Sequence, residues 1–191
     1  MKATIKGGKL VPLEECYISS ELDAAGPMYS TGESNKLVFD NLPDISDQKS
    51  ANYTDESAIG RTAPFKNYAY SENRAISVDV HMFVQEKDGN QSPQAILDTL
   101  RWLEAHVYPE KGESGFYSPP PIMKIKCYKL LEEEDLCVVL KSYNVKFDPS
   151  VPWHEETGIP YKLDVSLSLE AVYQSANLPY ATDVVMGRTE G

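Results

Sequence analysis

Three histidines and three cysteines, with a scatter of carboxylates, are the chemically versatile residues of this chain, and their spacing assembles no familiar site. His81, His106 and His154 lie far from one another, and none sits at metal-ligand spacing from a second His or a Cys. Trp153-His154-Glu155-Glu156 sets an imidazole beside two carboxylates. It lacks the second His of an HExxH helix, and it falls between Pro152 and Pro160, so a wet turn is expected. Asp44 with Asp47, and Asp55 with Glu56, miss the spacing of a calcium loop. No GxSxG elbow, phosphate-binding loop or GxGxxG turn occurs. Cys16, Cys127 and Cys137 form an odd set without CxxC spacing, which argues against a disulfide framework or a zinc site. Cys127 and Cys137 read as small buried hydrophobes in strand patterns. The expectation is a protein that is not an enzyme and needs no cofactor and no metal. Arg61, between Gly60 and Thr62-Ala63-Pro64, is the one charge singled out. It suits a carboxylate across a subunit boundary or an ordinary surface pair.

The elements that carry these residues are mainly strands. Ile76, Val78, Val80 and Met82 alternate with polar partners over Arg74 to Val84, the period of a half-buried strand. Ser92 to Val107 reads as the one helix, capped by Ser92 with Pro93 at its first position. Its apolar stripe is Ile96, Leu97, Leu100, Leu103 and Val107. Strands are expected over Ile122 to Tyr128 and Leu136 to Phe147, the latter carrying Tyr143, Val145 and Phe147 on one face. The strongest alternation is Tyr161, Leu163, Val165, Leu167, Leu169, Ala171 and Tyr173. A strand of that length runs on the order of 40 Å and needs a large covering surface, which a second subunit would supply. Asp44 to Gly60 is polar and reads as a long functional loop, and Asp148 to Pro160 as a proline-punctuated connector. The architecture expected is mainly β with one α-helix, an antiparallel sandwich or barrel with the helix flanking it. Residues 1–36 read as an extended N-terminal arm, 37–174 as the β domain and 175–191 as a C-terminal arm.

The net charge is −11, so the surface repels phosphate and tight nucleic-acid binding is not expected. No apolar run is long enough for a bilayer, so no membrane association is expected. Met1 to Leu10 has three lysines and no apolar run, unlike a signal peptide, and synthesis in the cytoplasm is the expectation. Twelve tyrosines favour protein interfaces, where Tyr buries area at low entropic cost.

Two stretches carry a family resemblance. One runs Leu37-Val38-Phe39-Asp40-Asn41-Leu42-Pro43-Asp44-Ile45-Ser46-Asp47, then Ala51-Asn52-Tyr53, then Ala58-Ile59-Gly60-Arg61-Thr62-Ala63-Pro64-Phe65-Lys66-Asn67-Tyr68. The other comprises Ser118-Pro119-Pro120-Pro121-Ile122, Val145-Lys146-Phe147-Asp148-Pro149 and Leu163-Asp164-Val165-Ser166-Leu167-Ser168-Leu169-Glu170. Their order resembles the tail tube initiator and baseplate hub proteins of long-tailed phages, and the tube-base proteins of contractile injection particles. The resemblance covers Leu37 to Tyr173. The carboxy-terminal peptidoglycan-binding type of module that many relatives carry has no counterpart by Gly191. The resemblance implies a tail-tube fold in a homo-oligomer, a hexameric ring stacked between baseplate hub and tail tube proteins. It implies a lumen for tape-measure protein or DNA, a place in the virion tail after assembly in the host cytoplasm, and no catalysis. Inter-subunit contact is expected at Arg61, Pro64, Tyr143, Phe147, Trp153, Tyr161, Leu163, Val165, Leu167 and Leu169. The alternative reading is a monomeric sandwich that binds glycan or cell wall through exposed aromatics such as Trp153, Tyr117 and Tyr180.

Overall fold

The structure is a computed structural model that describes residues 3–6, 9–12, 16–20, 36–39, 42–87, 90–92, 94–111, 117–128, 131 and 136–173. In chain order its strands are β1 (Ala3–Lys6), β2 (Lys9–Pro12), β3 (Cys16–Ser20), β4 (Lys36–Val38), β5 (Asp44–Gln48), β6 (Ala51–Glu56), β7 (Phe65–Ser71), β8 (Ala75–Phe83), β9 (Gln85–Lys87) and β10 (Asn90–Ser92). Helix α1 (Gln94–Ala105) follows, then β11 (Glu110–Lys111), β12 (Tyr117–Ser118), β13 (Met123–Cys127), β14 (Cys137–Lys146) and β15 (Lys162–Ala171). Among the described residues the fold is mainly β, with antiparallel sheets and one flanking helix.

Seven strands form the main sheet in the order β4-β3-β13-β14-β15-β8-β5. Strict alternation puts Ile76, Val78, Val80 and Met82 of β8 and Leu163, Val165, Leu167, Leu169 and Ala171 of β15 on one buried face. Opposite each other in register are Val78 and Leu167, and Val80 and Val165. Helix α1 contributes Ala95, Ile96, Thr99, Trp102 and Leu103 to the same core. Its buried stripe is therefore rotated from the one expected. Leu97, Leu100 and Val107 are only half-buried, and Trp102 and Thr99 take the inward positions. Thr99 tolerates this because its hydroxyl donates to the Ala95 carbonyl at 2.9 Å within the helix. Pro93 lies outside the described residues.

Two features reset expectations about strands. Strand β14 carries a bulge between Leu140 and Ser142. The extra residue swaps the inward parity, so Val138 and Leu140 face the core before it and Tyr143 and Val145 after it. Asp44 to Gly60 is not a long loop. Asp44–Gln48 pairs with β8 as a sheet edge, and Ala51–Glu56 pairs with β7 as a hairpin outside the sheet. Its strands escape a hydrophobicity pattern because they have almost no buried side to alternate with.

The cysteine reading is corrected as well. Cys16 and Cys127 form a disulfide 111 residues apart in sequence, placed directly opposite each other by the β3–β13 register. Both are buried, and sequence spacing holds no trace of a register between distant strands. Cys137 is a free, half-buried thiol. Strand β3, within the segment expected as an arm, belongs to the main sheet. Residues 174–191, including the expected C-terminal arm and Tyr180, lie outside the described residues. Among the described residues no helix is long and apolar enough to cross a membrane.

Candidate assembly surface

The β5–β6 and β7–β8 segments form one continuous antiparallel ribbon. Its first half is sheet edge, and its second half projects as a free hairpin. From Ala51 to Ser71 every side chain is exposed except Asn52, which is half-buried. Six paired residues give the projecting part a reach of about 20 Å, with the turn added. One face carries Tyr53, Tyr68 and Tyr70, all about half exposed, and Tyr53 meets Tyr68 edge-on at 5.8 Å between ring centroids. Asn52 donates to the Tyr70 hydroxyl at 3.0 Å, and Lys66 pairs with Asp55 at 2.6 Å. These contacts stay within the hairpin and brace it without burying it. At the tip the Arg61 amide donates to the Ala58 carbonyl at 3.2 Å, closing a β-turn over Ile59 and Gly60. Gly60 takes φ +90°, a conformation that favours glycine, and Ile59 is left fully exposed at the apex. Arg61 lies over the Phe65 ring at 3.5 Å, with exposed Pro64 beside them.

A clamp holds the ribbon where it leaves the sheet. Arg74 donates through Nε to Asp47 Oδ1 and through Nη2 to Asp47 Oδ2, each at 2.8 Å. The Arg74 side chain is 5% exposed and that of Asp47 34%. The Arg74 hydrogen bonds are the chief cause holding the Asp47 carboxyl below its ordinary value, against a smaller desolvation effect. The Ala171 amide donates to the Arg74 carbonyl at 2.8 Å, tying the clamp to the end of β15.

The opposite end of the sheet bears a second exposed aromatic cluster. Phe147 and Trp153 stack at 6.3 Å between centroids and are 56% and 47% exposed. Glu155 and Glu156, both exposed, follow Trp153. The connector is folded back by a Trp153–Pro160 bridge and by Tyr161, whose amide donates to the Pro152 carbonyl at 3.1 Å. Tyr161 is half-buried with its ring 6.0 Å from that of His154. Asp148 accepts from the Ser150 hydroxyl at 2.7 Å and the Ser150 amide at 2.9 Å, which together hold its carboxyl below the usual range.

Between these poles the flanks of the sheet are unclosed among the described residues. Among the described residues β5 and β4 pair on one side only, and β13 pairs with β14 only at Val138 and Cys137. The Ser142–Lys146 half of β14 is therefore paired with β15 alone. Half-buried Tyr143 and Val145 and exposed Phe147 run along that open edge. Burial is the first cause raising the Tyr143 phenol, with Glu104 and Tyr108 adding to it.

The outward face of β8 and β15 is polar, with Ser77, Asp79 and His81 beside Asp164, Ser166 and Ser168. Burial works to raise the Asp164 carboxyl, but bonds from His81 and Lys162 outweigh it and hold it below its ordinary value. Glu170 is lowered first by its bond from Lys141, at 2.7 Å, and then by that from Asn73, at 2.9 Å. His106 is fully buried between α1 and β3. Its Nδ1–H donates to the Trp102 carbonyl at 2.7 Å, so Nε2 accepts from the Ser20 hydroxyl at 2.6 Å. Desolvation lowers its pKa, against a smaller raising effect of the Trp102 bond. The Ser20–His106 pair is sealed in the core and fastens the helix end to the sheet. Among the described residues no group of three or more His, Cys, Asp or Glu is placed to hold a metal ion.

The ten residues expected at subunit contacts separate into three sets. Arg61 and Pro64 lie at the ribbon tip. Tyr143, Phe147, Trp153 and Tyr161 gather at the far pole and its open edge. Leu163, Val165, Leu167 and Leu169 are each 1% exposed, and the covering surface they need is supplied by the chain's own core and helix. Tyr53, Tyr68, Tyr70 and Ile59 were not singled out by sequence. The available signal was the period of two at Tyr68 and Tyr70. Comparison with protein-family models and with curated proteins finds no match to this chain.

Proposed function

We propose that the chain is a structural, non-catalytic assembly protein that forms a ring at the base of a phage-type tail and starts the tail tube. The flanks of the main sheet, open among the described residues, support this reading. A sheet with unpaired edges beside half-exposed apolar side chains gains by pairing with another copy, and rotational symmetry then repeats one interface around a closed ring. A hexamer stacked between hub and tube proteins is the assembly we infer, with the tape-measure protein or DNA in its lumen. The polar face of β8 and β15 suits a lumen, because its carboxylates repel phosphate and let DNA pass without binding. The Cys16–Cys127 disulfide accords with a virion, since such bonds persist in oxidising surroundings, including virion surfaces, after release from a reducing cytoplasm.

The test is light-scattering mass with negative-stain imaging, on the chain alone and with candidate hub and tail-tube proteins. Rings of six with an open centre, or capture onto the tube, are expected. A chain that stays monomeric and ignores those partners would refute the reading. The stacked, half-exposed Phe147–Trp153 pair favours one second reading, a glycan- or cell-wall-binding module. That reading requires a monomer whose binding to a glycan is abolished by Trp153→Ala.

A further inference from the structure

The two exposed aromatic surfaces sit at opposite ends of the same strands. The ribbon leaves the sheet at Ala75 of β8, opposite Glu170 of β15. The Phe147–Trp153 cluster lies at the other end, where Phe83 pairs with Lys162 and Lys146 with Asp164. Nine residues of β8 put the two ends on the order of 30 Å apart. Translation along the strand direction alone therefore brings the ribbon of one copy to the aromatic pole of the next.

The two ends also match in chemistry. The ribbon offers three half-exposed tyrosines on one face, and at its tip a bare Ile59 and the Arg61 guanidinium. The pole offers the faces of Phe147 and Trp153 with the carboxylates of Glu155 and Glu156 alongside. Aromatic side chains and Arg are the residue types that anchor protein interfaces. A two-stranded hairpin is at best marginally stable alone in water, so a ribbon of this length gains order from a surface to lie on. Among the described residues its own chain supplies no such surface, since its side chains remain exposed.

We propose that the β6–β7 ribbon of one copy docks on the Phe147–Trp153 pole of a second copy, with Ile59 against the aromatic pair and Arg61 facing Glu155 and Glu156. The contact is heterologous, so each copy keeps one free ribbon and one free pole and the series extends head to tail. This goes beyond the ring reading, in which other proteins lie above and below the ring, and does not depend on it. It needs only two copies of the chain to be seen.

The experiment is sedimentation velocity on the full chain and two surface variants. The ribbon variant is Ile59→Asp with Arg61→Glu, and the pole variant is Phe147→Ser with Trp153→Ser. All four positions are exposed, and thermal unfolding confirms that each variant is folded. Each variant alone is expected to self-associate at least about 30-fold more weakly than the parent. Mixed together, the two restore one good contact, between the intact ribbon of the pole variant and the intact pole of the ribbon variant. The mixture should form a one-to-one dimer and stop there. A charge exchange adds a second reading of the same contact. Arg61→Glu weakens association, and pairing it with Glu155→Arg and Glu156→Arg restores it.

Variants that associate as tightly as the parent overturn the proposal, as does a mixture that stays monomeric. A parent chain that is monomeric at about 1 mM, the weak limit for a specific contact, also overturns it. Closed rings formed by the parent and by both variants would sink the docking contact and leave the ring reading standing. A mixed dimer from a parent that forms filaments but no rings would do the reverse.

Discussion

Neutralising one side of the Asp47–Arg74 clamp should cost more than neutralising the other, and burial decides which. Asp47→Asn keeps the shape of the side chain but removes the carboxylate held at two points by a guanidinium that is 5% exposed. A buried pair broken from one side costs about 3–5 kcal/mol. Here Asp47 is 34% exposed and the amide still accepts one bond, so we expect about 2 kcal/mol. Arg74→Met removes the buried charge and keeps the stem. The carboxylate left behind reaches water, and the cost falls to about 1 kcal/mol. The double variant should resemble Arg74→Met, because in both the buried charge itself is gone. The two single costs then exceed the double by about 2 kcal/mol.

Urea unfolding at pH 7 measures all four corners of this cycle, provided the slope with denaturant is common to them. Acid supplies the sign. The folded Asp47 carboxyl lies below its unfolded value, so its contribution is present above the ordinary carboxylate range. It is lost as pH falls through the folded pKa. The gap between parent and Asp47→Asn should therefore close in acid. Single costs that sum to the double within about 0.5 kcal/mol would show that the two side chains do not act as a pair. An Arg74→Met variant less stable than Asp47→Asn would show that burial of the guanidinium is not what sets the cost.

Three further outcomes follow from the core. The folded His106 lies below its unfolded pKa, so its neutral form is favoured above about pH 6.5 and stability falls as the solution is acidified through and below that value. One proton sets a ceiling of about 1.4 kcal/mol per pH unit, and His106→Phe should flatten that part of the profile when unfolding is followed from pH 7.5 to 5. Replacing Cys16 and Cys127 together by Ser opens a loop of 111 residues and should cost about 2–5 kcal/mol, read as a lower urea midpoint that reductant reproduces in the parent. Leu167→Ala should cost about 2–5 kcal/mol, and Leu167→Asp should prevent folding, seen by circular dichroism of the purified variant, because the side chain is buried in the chain's own core.

Which parts of the structure were legible in the sequence depends on whether a segment has a dry side. Strands β8 and β15 were readable because each buries alternate residues, and burial is what a period of two records. The helix was readable in extent but not in rotation. Trp102 and Thr99 do not stand out beside leucines in a stripe, although one fills the core and the other hides its hydroxyl against its own turn. The bulge at Lys141 was not announced, yet Tyr143, Val145 and Phe147 had already fallen on one face because they all lie beyond it.

The ribbon is the opposite case. Its backbone is satisfied by its own partner strand, so it forms without burying anything, and a sequence that buries nothing looks like a loop. That invisibility carries information about assembly. Where strands β6 and β7 persist with both faces wet, the tyrosines on one face touch, among the described residues, only their own hairpin. A surface left over after the fold is accounted for is where a second molecule should be sought. The same reasoning separates the ten expected contact residues. The three leucines and one valine of β15 make a strand apolar enough to suggest a second subunit, and the chain's own core buries them. Arg61, Phe147 and Trp153 stay at the surface because, among the described residues, only their immediate neighbours touch them, and a partner must cover them if any further contact is made there.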